Sequence, residues 1–152
     1  MTDPFRVRDY WESRLRQSYS LQGVGYQRLG TQYNKWMYRL RARVFQRVAR
    51  GLGVDWPAAR VLDVGSGTGF YVDQWHQLGV PKVTGVDITS VAVQELARRF
   101  PRDEFVQLDV GKKLANDSRL VTRDYAAVSA KDVLFHIVDD AEYQEAFRNM
   151  AS

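Results

Sequence analysis

"RVLDVGSGTGFYVD", residues 60–73, places three glycines in five positions directly after a short apolar run. The run "RVLDV" reads as a buried β-strand, and Gly65, Gly67 and Gly69 fall where that strand turns into a helix. Glycine permits positive φ and carries no Cβ, so a ligand can approach this backbone closely. A strand, a glycine turn and a helix in succession form a nucleotide-type site at the carboxyl edge of a parallel sheet. The spacing is G-x-G-x-G, and Phe70 stands where a dinucleotide fingerprint has its last glycine. No G-x-x-x-x-G-K-[ST] occurs in the chain either. Both departures argue against a dinucleotide or a nucleoside triphosphate as the ligand.

Downstream, "VTGVDI" (83–88) reads as a second strand ending in Asp87, twenty residues after Gly67. A carboxylate at that place can accept hydrogen bonds from both hydroxyls of a ribose. "FVQLDV" (105–110) reads as a third strand ending in Asp109, and "YAAVSA" (125–130) as a fourth. Amphipathic stretches at 70–79, 90–100 and 140–150 separate or follow these runs. Such alternation predicts β-α-β-α units and a parallel sheet with helices on its faces. Thr89 or Ser90 can cap the helix at 90–100, and Pro101 is its stop signal.

Upstream of residue 58 the pattern is helical. Phe5, Tyr10, Trp11, Leu15 and Tyr19 suggest a short helix, "QGVGYQRLG" a loop, and 33–51 a longer helix ending at Gly51. The expected organisation is a helical extension or lid over 1–57 and an α/β unit over 58–152. Arg39, Arg43, Arg47 and Arg50 recur at helical spacing in the longer helix, beside an apolar stripe of Trp36, Leu40, Val44 and Val48. Read as an amphipathic helix, the arginines form its solvated face; read as a footprint, they would meet an anionic partner.

Composition narrows the classes further. The chain has 152 residues, 45% hydrophobic and 26% charged, with a net charge of +4, which suits one folded domain. No apolar run approaches the ~20 residues of a membrane span. "MTDPFRVRDYWESR" lacks a signal-peptide core, so a cytoplasmic setting is expected. There is no cysteine, hence no disulfide and no cysteine zinc site, and no ligand cluster for a metal is visible.

"VLDVGSGTG", "VTGVDI", "FVQLDV" and "YAAVSAKDVLFHIVDD" together resemble the first four ordered motifs of the class I S-adenosylmethionine-dependent methyltransferases, over about residues 58–150. The N-terminal helices resemble the substrate-covering extension of small-molecule members. The resemblance implies a Rossmann-like parallel sheet of about four strands in the order 3-2-1-4, and S-adenosylmethionine as cofactor. It implies that Asp63 orients the glycine loop near the cofactor's amino group, while Gly65, Ser66, Gly67 and Gly69 admit its amino-acid portion. Asp87 would hold the ribose, with Ile88 on the adenine. Asp109 would meet the adenine amino group, with Val110 beside it, and Lys131 would line the methionine end. Each aspartate also reads, without any ligand, as a turn or cap residue at a strand end.

Methyl transfer from a sulfonium is an in-line displacement of a neutral thioether, so alignment is the main requirement. A hydroxyl acceptor also profits from a general base, and His136, just after the fourth strand, is the candidate. It reads equally as a packing or orienting residue. Tyr33, Trp36 and Tyr38 are candidate walls of an acceptor pocket, or else core of the longer helix. His76 is expected on the surface. Nucleic acid is not the expected acceptor, because "SAKDVLF" stands where base-modifying relatives carry a proline-rich aromatic motif. A small molecule is.

The family's sheet normally has seven strands, and the sequence stops after the fourth. The expectation is a fragment of a longer enzyme, or a short protein that completes its sheet by self-association through an exposed edge. A cofactor-binding module without catalysis is the alternative to an enzyme.

Overall fold

Four short strands alternate with helices after a helical N-terminal segment in the computed structural model, which describes residues 6–25, 27–114 and 124–151. The helices are α1 (Val7–Gln17), α2 (Leu21–Val24), α3 (Gly30–Arg50), α4 (Phe70–Gln77), α5 (Ser90–Arg99) and α6 (Asp140–Ala151). The strands are β1 (Val61–Val64), β2 (Val83–Asp87), β3 (Glu104–Gln107) and β4 (Ala127–Ala130). All pairings are parallel, as the alternation of strands and helices predicts, and the order is β3-β2-β1-β4, as the family resemblance implies. Phe5, expected on the first helix, lies outside the described residues.

β1 and β2 are buried at every position, because helices cover both faces of the sheet. The period-2 pleat sends Val61 and Val83 to one face, where they meet Phe45 of α3 and Val72 and Trp75 of α4. Leu62, Val64 and Val86 point to the other face and pack with Ala146 of α6. Leu15 of α1 packs with Ala92 and Leu96 of α5.

Three local expectations change. The segment expected as a loop at 22–30 contains the short helix α2, opened by Ser20, whose side chain accepts from the Gly23 N–H at 3.1 Å. On α3 the buried positions are Asn34, Met37, Tyr38, Phe45 and Ala49, not the apolar stripe. Phe45 fits between Tyr71 and Trp75 of α4, with ring centroids 5.3 and 4.7 Å away, and that contact fixes the helix's rotation. Trp36, Leu40, Val44 and Val48 are left 61%, 45%, 54% and 58% exposed. His76 is half-buried and bonded at both nitrogens, to the Val80 carbonyl (2.9 Å) and the Asp103 carboxylate (2.7 Å). Asp103 in turn accepts from the Val83 N–H, so this cluster holds the start of β2.

Candidate active site

All four strands end at one cavity of about 410 Å³, lined by residues at or just after their carboxyl ends. The glycine loop forms its floor. Gly65 and Ser66 donate backbone N–H bonds to the Val86 carbonyl (2.7 and 3.1 Å), which extends the β1–β2 pairing into the loop. Gly67 then turns upward with φ +52° and donates its N–H to Asp87 Oδ2 at 2.9 Å. A Cβ on Gly67 would meet nothing closer than 3.8 Å, so the loop is bare on that side. Gly69 does different work. It enters α4 at φ +80°, and a Cβ there would come within 2.6 Å of the Phe100 ring. Gly65, Ser66 and Gly67 line the cavity, whereas Gly69 backs onto α5.

Asp87 is the most heavily used acceptor of the site. Its Oδ1 accepts from the Thr89 N–H (2.9 Å) and hydroxyl (2.7 Å), and its Oδ2 from Gly67. Burial pushes its carboxyl up, and the bonds from Thr89 and Gly67 act against that shift. Ile88, Leu108, Asp109 and Val110 continue the wall, and Asp109 also accepts the Gly111 N–H at 3.0 Å, as a turn residue does.

Asp63 sits one layer beneath the cavity and does not line it. Its Oδ1 accepts from Ser129 Oγ at 2.6 Å, and Ser66 Oγ donates to its backbone carbonyl at 2.9 Å. Complete burial pushes its carboxyl up to about 6, against the two serines. Asp63 thereby ties the glycine loop to β4.

The opposite wall comes from α1, α3 and the segment after β4. Tyr10, Trp11 and Arg14 project from α1 into the cavity lining. Arg14 donates to the carbonyls of Gly23 and Gly25 (2.8 Å for Gly25) and to Tyr10 Oη (2.7 Å), with its guanidinium 5.0 Å from the Trp11 ring. Trp11 packs edge-on against His136 at 5.1 Å. Desolvation lowers the imidazole's pKa, and nearby Asp132 opposes this. Asp132 adopts φ +60° and pairs with Arg41 at 2.7 Å, joining the exit of β4 to α3.

α1 is fastened over the cavity at two points. Glu12 accepts from the Ser90 N–H and hydroxyl, both at 2.7 Å, at the start of α5. Tyr19, just beyond α1, donates its hydroxyl to the Gly67 carbonyl at 2.9 Å. Of the candidate pocket aromatics, Tyr38 lines the cavity; Tyr33 and Trp36 stand on the exposed side of α3, away from it. Lys131 and His136 both line it.

Sequence reasoning passed over Tyr10, Trp11, Arg14 and Arg41. The first three share one turn of α1, and an arginine one turn from an aromatic pair was the available signal. Arg41 has none, because its partner lies 91 residues away (132 − 41). Among the described residues no group of three or more His, Asp or Glu could hold a metal, and no helix is long and apolar enough to cross a membrane.

The comparisons bear on this architecture. No match was found among curated protein sequences. CalS10, an amino pentose methyltransferase from Micromonospora echinaspora solved with S-adenosylmethionine, is similar over 99% of this chain and 52% of its own, at 18% identity and TM-score 0.60. DhpI, solved in a complex named DhpI-SAM-HEP, is similar over 93% and 57%, at 22% identity and TM-score 0.59. YjhP from E. coli is similar over 72% and 43%, at 22% identity and TM-score 0.51. These likenesses concern the fold, and the chain spans about half the length of the structures it matches. Residues 61–152, from the first residue of β1 onward, match the family model described as a methyltransferase domain, and the chain belongs to that family.

Proposed function

We propose that this chain binds S-adenosylmethionine in the cavity above β1 and β2 and serves methyl transfer to an oxygen or nitrogen of a small-molecule acceptor. The observation that carries the reading is the Asp87–Gly67 bond. It fixes a carboxylate and a bare glycine loop side by side on one cavity floor. The residues suit that group: a carboxylate for ribose hydroxyls, an apolar wall of Ile88, Leu108 and Val110 for a base, and a cavity within the ~300–1,000 Å³ range of small-molecule sites.

When bound, the cofactor supplies a methyl group on a sulfonium. The chain's own part is to bind and align. Asp87 accepts from the ribose with the lone pair that Thr89 and Gly67 leave free. Asp109 and Val110 would hold the base, and Gly65–Gly67 the methionine end. Asp63 acts on that end through the loop it braces. Arg14 and Lys131 both line the cavity, and they are the cations that would meet a carboxylate of the cofactor. Trp11, Tyr38 and the α1 roof exclude water from the acceptor side. His136, whose imidazole pKa is lowered by desolvation, serves in this reading as the base that takes a proton from a hydroxyl or ammonium acceptor.

A second reading, a cofactor-binding module without turnover of its own, draws on the chain's spanning about half of the similar structures. Calorimetric titration with S-adenosylmethionine and S-adenosylhomocysteine, wild type against Asp87→Ala, tests the shared core of both. A folded wild type that binds neither compound refutes it. Release of S-adenosylhomocysteine with a panel of hydroxyl and amine acceptors then separates enzyme from module.

A further inference from the structure

We infer, on the cofactor reading above, that Tyr19 is a positioning residue: from behind the glycine loop it holds the Gly67–Thr68 peptide with its carbonyl outward and its N–H toward the cavity. Gly67 and Thr68 line the cavity, whereas Tyr19 lies outside it, in a groove behind the loop bordered by α4 and α5. Its hydroxyl donates to the Gly67 carbonyl at 2.9 Å. The Gly67 N–H donates to Asp87 at 2.9 Å. Both polar groups of this one residue are therefore tied, one to the cavity floor and one to the groove.

A trans peptide points its C=O and its N–H in opposite directions. The described residues contain no cis peptide, so the bond from Tyr19 turns the Thr68 N–H away from the groove. That N–H donates to no group among the described residues, although Thr68 is buried. A buried backbone donor is almost always paired, and this one stands open to a ligand. The next carbonyl is held outward as well. Thr68 accepts from Arg99 Nη1 at 2.9 Å, and Arg99 is itself paired with Asp73 and lies 4.7 Å from the centre of the Phe100 ring.

Tyr19 is itself held in place. The Ser18 N–H closes α1 on the Arg14 carbonyl and the Ser20 N–H bonds the Ser18 carbonyl, both at 3.1 Å, while the Ser20 side chain caps α2. The ring between these two serines packs against Leu15, Ala92 and Leu96. Burial, and then the Asp87 and Glu95 carboxylates, push the phenol well above its ordinary value, so it remains a donor at neutral pH.

Tyr19→Phe keeps the ring and removes the donor. In the ligand-free chain the Gly67 and Thr68 amide resonances should move or broaden, while those of β2 stay in place. Saturating S-adenosylhomocysteine should shift the wild-type Thr68 amide proton downfield, and shift it less in the variant. Isothermal titration should show affinity for S-adenosylhomocysteine falling roughly three- to tenfold, the size of one lost hydrogen bond. Val80→Ala, a change in the buried core ahead of β2, supplies the comparison: it should lower the melting temperature at least as much and leave affinity unchanged. A Tyr19→Phe affinity within about threefold of wild type overturns the proposal. So does a Thr68 amide unmoved by the ligand, or a loss of affinity that Val80→Ala reproduces. Those results refute the role of Tyr19 alone, whereas a folded wild type that binds no S-adenosylhomocysteine refutes the cofactor reading and this role with it.

Discussion

Asp87→Asn is the substitution that tests the site's geometry most directly, because it keeps shape and removes one acceptor. Three donors converge on the carboxylate: the Gly67 N–H on Oδ2, and the Thr89 N–H and hydroxyl on Oδ1. An amide has one oxygen and one NH₂. The less costly placement keeps the oxygen toward Thr89 and turns the NH₂ against the Gly67 N–H. That leaves a part-buried donor facing another donor, a cost of about 1–3 kcal/mol, and weakens the two remaining bonds from charged to neutral. Relief of the carboxylate's desolvation returns part of this, so a net loss of about 2–3 kcal/mol is expected. For a domain of this size that lowers the melting temperature by roughly 4–12 °C. Because the lost bond anchors the glycine loop, the same ~2–3 kcal/mol should appear in cofactor binding, as roughly 30–150-fold weaker affinity for S-adenosylhomocysteine. Differential scanning fluorimetry and isothermal titration read the two quantities. A variant melting within ~2 °C of wild type and binding within about threefold would refute the reasoning, since Asp87 would then hold neither loop nor ligand.

Further outcomes follow from the same contacts. Asp63 is raised from 3.8 to about 6, so between those values the folded state keeps a proton that the unfolded chain has lost. Stability of the ligand-free protein should therefore fall as pH rises through that window, by about 3 kcal/mol in all, and Asp63→Asn should flatten most of the slope in urea titrations at several pH values. Gly69→Ala combines left-handed strain with a Cβ 2.6 Å from Phe100 and 2.8 Å from Leu96, and should cost about 2–4 kcal/mol of stability. Gly67→Ala meets its nearest neighbours only at 3.8–3.9 Å and should cost only about 1–2 kcal/mol of stability while impairing cofactor affinity; chemical denaturation with parallel titration separates the two. Glu12→Ala removes both bonds that fasten α1 to Ser90, so hydrogen exchange of residues 7–17 should accelerate while that of β1 and β2 stays unchanged.

The cofactor side of the site was legible because its parts are local. A strand ending, a glycine turn and a carboxylate at the next strand's end are each written in a few consecutive residues, and parallel β1–β2 pairing brings Gly67 and Asp87 together automatically. The acceptor side was not, because it is assembled by packing. Which face of α3 turns inward depends on Phe45 meeting Tyr71 and Trp75, and nothing in "WMYRLRARVF" says that those rings will be there. Periodicity alone selects the Trp36–Leu40–Val44–Val48 stripe, and the tertiary contact overrides it. Tyr38 reaches the cavity for the same reason that Trp36 does not: the two lie two residues apart on a 3.6-residue helix, hence on opposite flanks.

The two halves of the site therefore answer to different constraints. The glycine-loop side hangs on backbone hydrogen bonds between β1 and β2, in the best buried part of the sheet. The opposite side hangs on the segment leaving β4, whose strand neighbour among the described residues is β1. Lys131, Val133, His136 and Ile137 line the cavity from that segment, and Arg41–Asp132 joins it to the helix that carries the exposed apolar row. The Asp87–Gly67 floor lies a strand further in, so β1 stands between the strand that carries Asp87 and the strand from which the His136 wall departs.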